Sequence, residues 1–399
     1  MTELDSPVGP LHGVRVLDFT SVIMGPYATQ ILGDLGAEVI SVEDPKADAN
    51  RTMGPGPGPG MSGVSLNLLR NKRNISLDLK LPAGRDAFLR IAATCDVVVT
   101  NLRPGPLGRL GLTYDVLREV RPDIVMCQAQ GWPSDSVYAD KPAYDDVVQA
   151  GCGLADAFAL QHGTPALAPT IVADKVSGLT IVYAILAALF HRANTGEGQC
   201  IEVPMIDVLT SFTFVEHGSA AIPEPALGPA GYARILAPDR RPYATIDGWL
   251  AVLPYSASNF NDLYREGGRL DLVDDPRVLT AVSRNRHASE LYAALGPVIA
   301  TRTTAFWVAF CDEHDIPASA VRTLDELVHE LPVVQHPHFG SFREVPPPVR
   351  FSATPSSVRR PAPRLGEHGR EVLHEIGFGA DEIAALEAEG VLRHAEAGE

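Results

Sequence analysis

The sequence predicts an α/β fold: a large Rossmann-like, doubly wound domain joined to a smaller α+β domain. Three observations predict it. Apolar strand-like runs alternate with helical runs through roughly the first 200 residues, as βαβ units with a parallel sheet do. A Pro/Gly/Ala-rich stretch at 218–231 then breaks the alternation. Beyond it the pattern becomes a hairpin followed by helices. The length of 399 residues also exceeds one typical domain.

In order, 14–19 reads as a first strand, 24–36 as a turn and helix, and 38–43 as a second strand. The tract 54–63 alternates Gly and Pro. It contains a formal G-x-G-x-x-G at Gly58, Gly60 and Gly63, but no strand leads into it, so a mobile surface loop is expected and not a dinucleotide fingerprint. A short strand follows at 76–79, a helix at 82–93, a strand at 96–100, helical or turn segments at 107–112 and 114–120, and a strand at 124–131. The apolar run 179–190 is Ala/Leu-rich and reads as a buried helix too short to span a bilayer.

Residues 243–253 read as a hairpin around Asp247-Gly248, with helices near 257–266, 289–300 and 304–313. Residues 332–363 are Pro-rich and extended, and two short helices close the chain at 369–376 and 380–389. The expected organisation is a large domain at 1–217, a linker at 218–242, a small domain at 243–331, and a linker with C-terminal helices at 332–399 returning to the large domain.

Composition excludes several classes. A formal charge of −16 disfavours general nucleic-acid binding and attachment to anionic membranes. The five cysteines are scattered and form no CxxC pair, so neither a metal site nor a disulfide framework is expected. Cys311 and His314 form only a lone C-x-x-H. The acidic N-terminus, residues 1–5, lacks an apolar leader, and a reduced, cytoplasmic setting is expected. There is no G-x-S-x-G elbow, H-E-x-x-H or P-loop.

Two features carry chemistry. Asp174 stands just ahead of the 179–190 run, at the start of its helix. It is either an ordinary capping aspartate or a carboxylate aimed as a nucleophile. Sparse cations also cluster. Arg70, Lys72 and Arg73 follow the Gly-Pro tract, and Arg103 and Arg109 follow the 96–100 strand. They are either a rim for a phosphorylated ligand or solvated surface charge.

Together the motifs resemble the class III CoA-transferases, the CaiB/BaiF-like group of formyl-CoA:oxalate and carnitine CoA-transferases and α-methylacyl-CoA racemases. The match includes Val16-Leu17-Asp18-Phe19-Thr20, Gly25-Pro26, Asp34 to Ile40, Asn71 to Lys80, Asn101-Leu102-Arg103-Pro104-Gly105, Tyr144-Asp145 with Gln149-Ala150, Asp174, Thr195 to Gln199, and Leu365-Gly366-Glu367-His368 with Gly390-Val391-Leu392.

The resemblance implies an interlocked-ring homodimer, acyl-CoA and carboxylic acid substrates, and no permanently bound cofactor. It implies Asp174 as nucleophile, forming an acyl anhydride and then an aspartyl-CoA thioester, with Gly228 and Gly231 shielding the intermediates. It places CoA contacts on Val22, Leu69, Lys72, Asn101, Leu102, Arg103 and Arg109. After Val42-Glu43 the family often has Arg. Here Asp44 stands there, and Lys46 or Arg51 is expected to substitute. Racemases carry His-Asp where this chain has Tyr144-Asp145. Tyrosine is a poor proton carrier at neutral pH, so transferase is favoured over racemase and over a catalytically silent acyl-CoA binder.

Overall fold

The structure is a computed structural model, and it describes residues 9–394; the N-terminal residues 1–5 read above lie outside them. The chain divides into two units. Unit 1 contains the residues up to Cys152, Ala168–Ser211 and those from Leu331 on; unit 2 contains Gly153–Leu167 and Phe212–Glu330. Residues 153–167 and 212–242 therefore group with the smaller unit.

Unit 1 is built as βαβ repeats: β1 (Arg15–Phe19), α1 (Met24–Asp34), β2 (Glu38–Glu43), α2 (Gly63–Leu68), β3 (Lys72–Leu77), α3 (Pro82–Ala92), β4 (Val97–Thr100), α4 (Pro104–Leu110), α5 (Tyr114–Val120), β5 (Val125–Gln130), α6 (Asp145–Gly151) and β6 (Cys200–Pro204). The sheet runs from the short strand Leu392–Arg393 through β3, β2, β1, β4 and β5 to β6. Every pairing is parallel except that of Leu392–Arg393 with β3. Both faces are covered, which explains why the inner strands read as unbroken apolar runs. On one face Leu17, Ile40, Ile75 and Val98 pack with Phe88, Ile91, Leu117, Leu373 and Leu386 from the covering helices. Each such side chain contributes about 1.5–3 kcal/mol of burial.

On the other side lies a 24-residue helix, Val172–Thr195, which contacts α1, β5 and β6. It is twice the length of the apolar run from which it was predicted. By length and hydropathy it meets the requirement for a bilayer span, so the argument from shortness does not hold. Its buried residues, among them Ala173, Ile181, Ile185 and Ala188, make it a covering helix of the sheet. Gly178 permits the close crossing with α1: a Cβ there would lie 2.8 Å from the Tyr27 ring and 3.0 Å from the Met24 carbonyl oxygen.

Two further expectations are corrected. β3 begins at Lys72, four residues before the expected strand, because its early charged residues find partners inside the fold. The 332–363 segment is more than an extended linker. It forms a hairpin, Val333–His336 with Gly340–Arg343, and its later part is held by Asn71, the residue just ahead of β3. The Asn71 amide donates to the Arg360 carbonyl, and the Asn71 Oδ1 accepts from the amides of Arg359 and Arg360.

Unit 2 carries the hairpin around Asp247-Gly248, Tyr243–Ala244 with Trp249–Val252, extended by Ala318–Ala320 into a three-stranded antiparallel sheet. Its core joins Leu250, Phe260, Leu263, Leu291 and Leu295 to Trp307, whose Nε1 donates to the Ile299 carbonyl.

Candidate active site

The helix that carries Asp174 begins without a capping side chain of its own, since Ile171 occupies the cap. Its first amides must find acceptors elsewhere. Asp145 supplies them from the first turn of α6. Its Oδ1 accepts the amide of Ala173 at 2.6 Å and that of Asp174 at 3.1 Å, while its Oδ2 accepts from Gln149 Nε2 at 2.5 Å. Gln149, fully buried, also holds the approaching loop: its Oε1 accepts the Ala168 amide, and its Nε2 donates to the Thr170 carbonyl. The Tyr-Asp…Gln motif is thus a clamp on the start of the Asp174 helix. Tyr144, at the cap of α6, is 68% exposed.

Capping is therefore the work of Asp145, and the Asp174 carboxylate is left for other use. Burial, then the charge of Asp145, pushes the Asp174 carboxyl up to about 6, against the pull of the Met24 amide at the start of α1. A carboxylate near 6 is ionised at neutral pH, more basic than an exposed aspartate, and poorly solvated.

A second element of the site lies at the carboxyl ends of β1, β2, β3 and β4. A cavity of about 230 Å³ is lined by Thr20, Ser21, Asp48, Lys80, Asn101 and Leu102, with further residues from those strand ends. β1 lies between β2 and β4 in the sheet, so this is the point where strand order reverses and where open α/β sheets bind ligands. Asn101 fastens it: its Oδ1 accepts the Ser21 amide and its Nδ2 donates to the Ser21 carbonyl. Val22 sits beside it at φ 64°, a left-handed conformation that costs a β-branched residue energy, with its amide on the Asp48 carboxylate. Burial raises Asp48 above the usual carboxylate range.

The expected CoA contacts divide into three groups. Asn101 and Leu102 line this cavity, and the Val22 amide is bound to Asp48, another of its lining residues. Lys46, Arg103 and Arg109 are exposed and follow the ends of β2 and β4, with Arg103 Nη1 donating to the Asp140 carbonyl. Lys72, Arg51 and Leu69 are turned inward. Lys72 Nζ, fully buried, spends its three donors on Asp18 Oδ2 at 2.8 Å, the Pro26 carbonyl and Thr29 Oγ1. Arg51 pairs with Glu43 through Nε and Nη2 and donates through Nη1 to the Gly60 and Pro363 carbonyls. Leu69 packs with Met61, Leu66 and Ala362.

Of the cations read as a phosphate rim, Arg70 and Arg73 are internal like Lys72. Arg70 is bound to Asp34, and Arg73 to Glu38, Glu371 and Glu375. The early start of β3 carries Arg73 into the fold, and Arg70, two residues ahead of that strand, is drawn in by Asp34 of α1. Gly228 and Gly231 lie in unit 2, where the Gly231 amide donates to the His217 carbonyl and Gly231 adopts φ 111°. Sequence reasoning missed Lys80 and Asp48. The first was legible, since it closes the matched Asn71–Lys80 segment; the second carried no local signal. Among the described residues no group of three or more His, Cys, Asp or Glu could hold a metal ion.

The family model for CoA-transferase family III matches residues 11–369. The chain is 30% identical to the succinyl-CoA:glutarate CoA-transferase of Mus musculus, over 97% of this chain and 91% of that one. It is 32% identical to the succinate–glutarate CoA-transferase of Agrobacterium fabrum, over 94% and 98%. A solved CAIB/BAIF family protein from Brucella suis superposes with a TM-score of 0.79 at 27% identity, covering 92% of this chain and 99% of that one. With this match over most of its length, the chain belongs to CoA-transferase family III and is an enzyme of that class.

Proposed function

We propose that the protein moves CoA from an acyl-CoA donor to a carboxylic acid through covalent intermediates on Asp174. The observation that carries this reading is the Asp174 carboxylate itself, half-buried, raised to about 6 and relieved of capping by Asp145. A carboxylate oxygen attacks the thioester carbon, the C–S bond breaks, and CoA leaves as thiolate from a mixed anhydride. The thiolate attacks the aspartyl carbonyl and expels the donor's carboxylate, leaving an aspartyl-CoA thioester. The acceptor acid repeats the exchange in reverse, and Asp174 is regenerated.

The site at the ends of β1 and β4 takes the nucleotide part of CoA in this reading, with Lys46, Lys80, Arg103 and Arg109 as the cations available for its phosphates. Succinate and glutarate, the acids in the names of the relatives, are the first acceptors to test. Tyr144 in place of histidine supports transfer over racemisation, because the α-proton lacks its carrier.

The same reading includes a homodimer of interlocked rings, its substrates and setting cytoplasmic. Leu179, Tyr183 and Phe190 recur along the Val172–Thr195 helix at 51%, 64% and 72% exposure, an apolar stripe that a second copy would cover.

The test is incubation with succinyl-CoA followed by hydroxylamine or borohydride and peptide mass spectrometry. The adduct is expected on Asp174 and absent from Asp174→Asn. α-Deuteration of a 2-methylacyl-CoA in heavy water, with no transfer to any acid and no adduct, would establish a racemase instead.

A further inference from the structure

Unit 2 contains a separate cavity of about 120 Å³, whose lining includes Arg234, Tyr255, Phe260, Arg284, Asn285 and Tyr292. That is about ten times the space one water needs, room for a short acid and far too little for CoA.

Its charge is out of keeping with the chain around it. Formal net charge is −16, and several arginines elsewhere in unit 2 pair with carboxylates, among them Arg241 with Asp239, Arg265 with Asp262, Arg277 with Asp275 and Arg302 with Glu266. Arg234 and Arg284 have no carboxylate partner among the described residues. Arg234 Nε donates to Tyr292 Oη at 2.9 Å, and its guanidinium lies 4.8 Å over the Tyr255 ring. Arg284 Nη1 donates to the Val278 carbonyl at 2.7 Å. A guanidinium carries five N–H donors in a fixed fork, so both keep donors in reserve.

Both side chains are partly buried. Two partly buried like charges lining one cavity repel each other, and an anion between them removes that repulsion. Tyr255 and Phe260 offer flat apolar walls, which suit methylene groups better than a bare inorganic anion.

We propose that this cavity binds a short-chain dicarboxylate, its carboxylates on Arg234 and Arg284 and its methylenes between Tyr255 and Phe260. The site goes beyond the transferase reading and does not depend on Asp174 forming a covalent bond.

The experiment is hydrogen-exchange mass spectrometry on the full chain without CoA. Succinate and glutarate are the probes; inorganic phosphate and glutaramide are the controls. Millimolar dicarboxylate is expected to slow exchange in peptides covering Tyr255–Phe260 and the Ala288–Ile299 helix. Arg234→Gln and Arg284→Gln should each raise the half-saturating concentration roughly tenfold. Melting curves check that the variants fold, and Arg→Lys replacements, which keep the charge, decide the matter if the Gln variants do not. Peptides around Asp174 report the unit 1 site separately, so failure there leaves this proposal standing, and failure here leaves the transferase reading standing. No protection in unit 2, protection unchanged in the folded variants, or equal protection by phosphate or glutaramide would each overturn it.

Discussion

Asp145 Oδ1 accepts the backbone amide of Asp174 at 3.1 Å, so the carboxylate that starts the helix also presses its charge on the carboxylate that the helix presents. Fold and acidity are thereby coupled through one side chain. Asp145→Asn keeps an oxygen for the two amides and removes the charge. In the wild type, kcat/KM for CoA transfer should rise with pH through about 6, because in the proposed mechanism the ionised form attacks. In the variant the inflection should fall below that value, since one of the two upward influences is gone. A pH–rate profile from pH 4.5 to 8 checks this. An inflection that stays in place would leave burial as the sole cause.

The raised value at Asp174 also bears on stability. Its folded pKa lies above the unfolded value near 3.9, so the folded state binds the extra proton between about 4 and 6. Stability contributed by the protonated form is complete below about pH 4 and is lost as pH rises through 6. Above that, the ionised carboxylate costs on the order of 3 kcal/mol. Asp174→Asn removes that cost while its amide oxygen still accepts from Met24. The variant should therefore be inactive and yet more stable than the wild type at pH 7.5, with the difference shrinking toward pH 4. Urea melts at both pH values test this, and an unchanged difference would show that the shift is not expressed in folding.

How much of this was legible depended on the range of the interaction. The βαβ order, the Asp247-Gly248 hairpin and the place of Asp174 at a helix start follow from local pattern, and the structure places them as read. The clamp from Asp145 joins residues 28 and 29 apart and leaves no local trace beyond the Tyr-Asp…Gln spacing. The inward-turned cations Lys72, Arg51, Arg70 and Arg73 were misread for the same reason. Lys72 looks like a surface lysine until Asp18, 54 residues earlier, is brought beside it by strands two places apart in the sheet. A sequence shows that a charge exists; only the fold shows whether its partner is internal. The Pro-rich 332–363 segment was read from composition alone, which does not disclose that Asn71 would hold it.

Assembly gives a third prediction. If two copies are interlocked, separating them requires unthreading, so dilution alone should not dissociate the dimer. Sedimentation at nanomolar protein should show dimer only. Reversible appearance of monomer would argue against interlocking. Tyr183→Glu combined with Phe190→Glu places charge on the exposed stripe and should reduce the yield of dimer while sparing the sheet core, which neither residue enters.

The last prediction separates structural cations from ligand-binding ones. Lys72→Met leaves the Asp18 carboxylate buried and without its cation, a loss of about 3–5 kcal/mol. CoA affinity of the folded fraction should change little, because no Lys72 donor faces solvent. Arg109→Ala should behave in the opposite way. The side chain is exposed, so stability should shift by no more than about 0.5 kcal/mol. CoA should bind roughly tenfold more weakly at low ionic strength, with the difference narrowing as salt screens the phosphates. Lys46→Ala and Lys80→Ala, whose side chains are also exposed, should follow Arg109. Titration calorimetry at two salt concentrations, paired with denaturant melts, reads both quantities. Weakened CoA binding by Lys72→Met without loss of stability would return Lys72 to the ligand site. Unchanged affinity in all three exposed variants would move the phosphates of CoA away from the carboxyl ends of β2, β3 and β4.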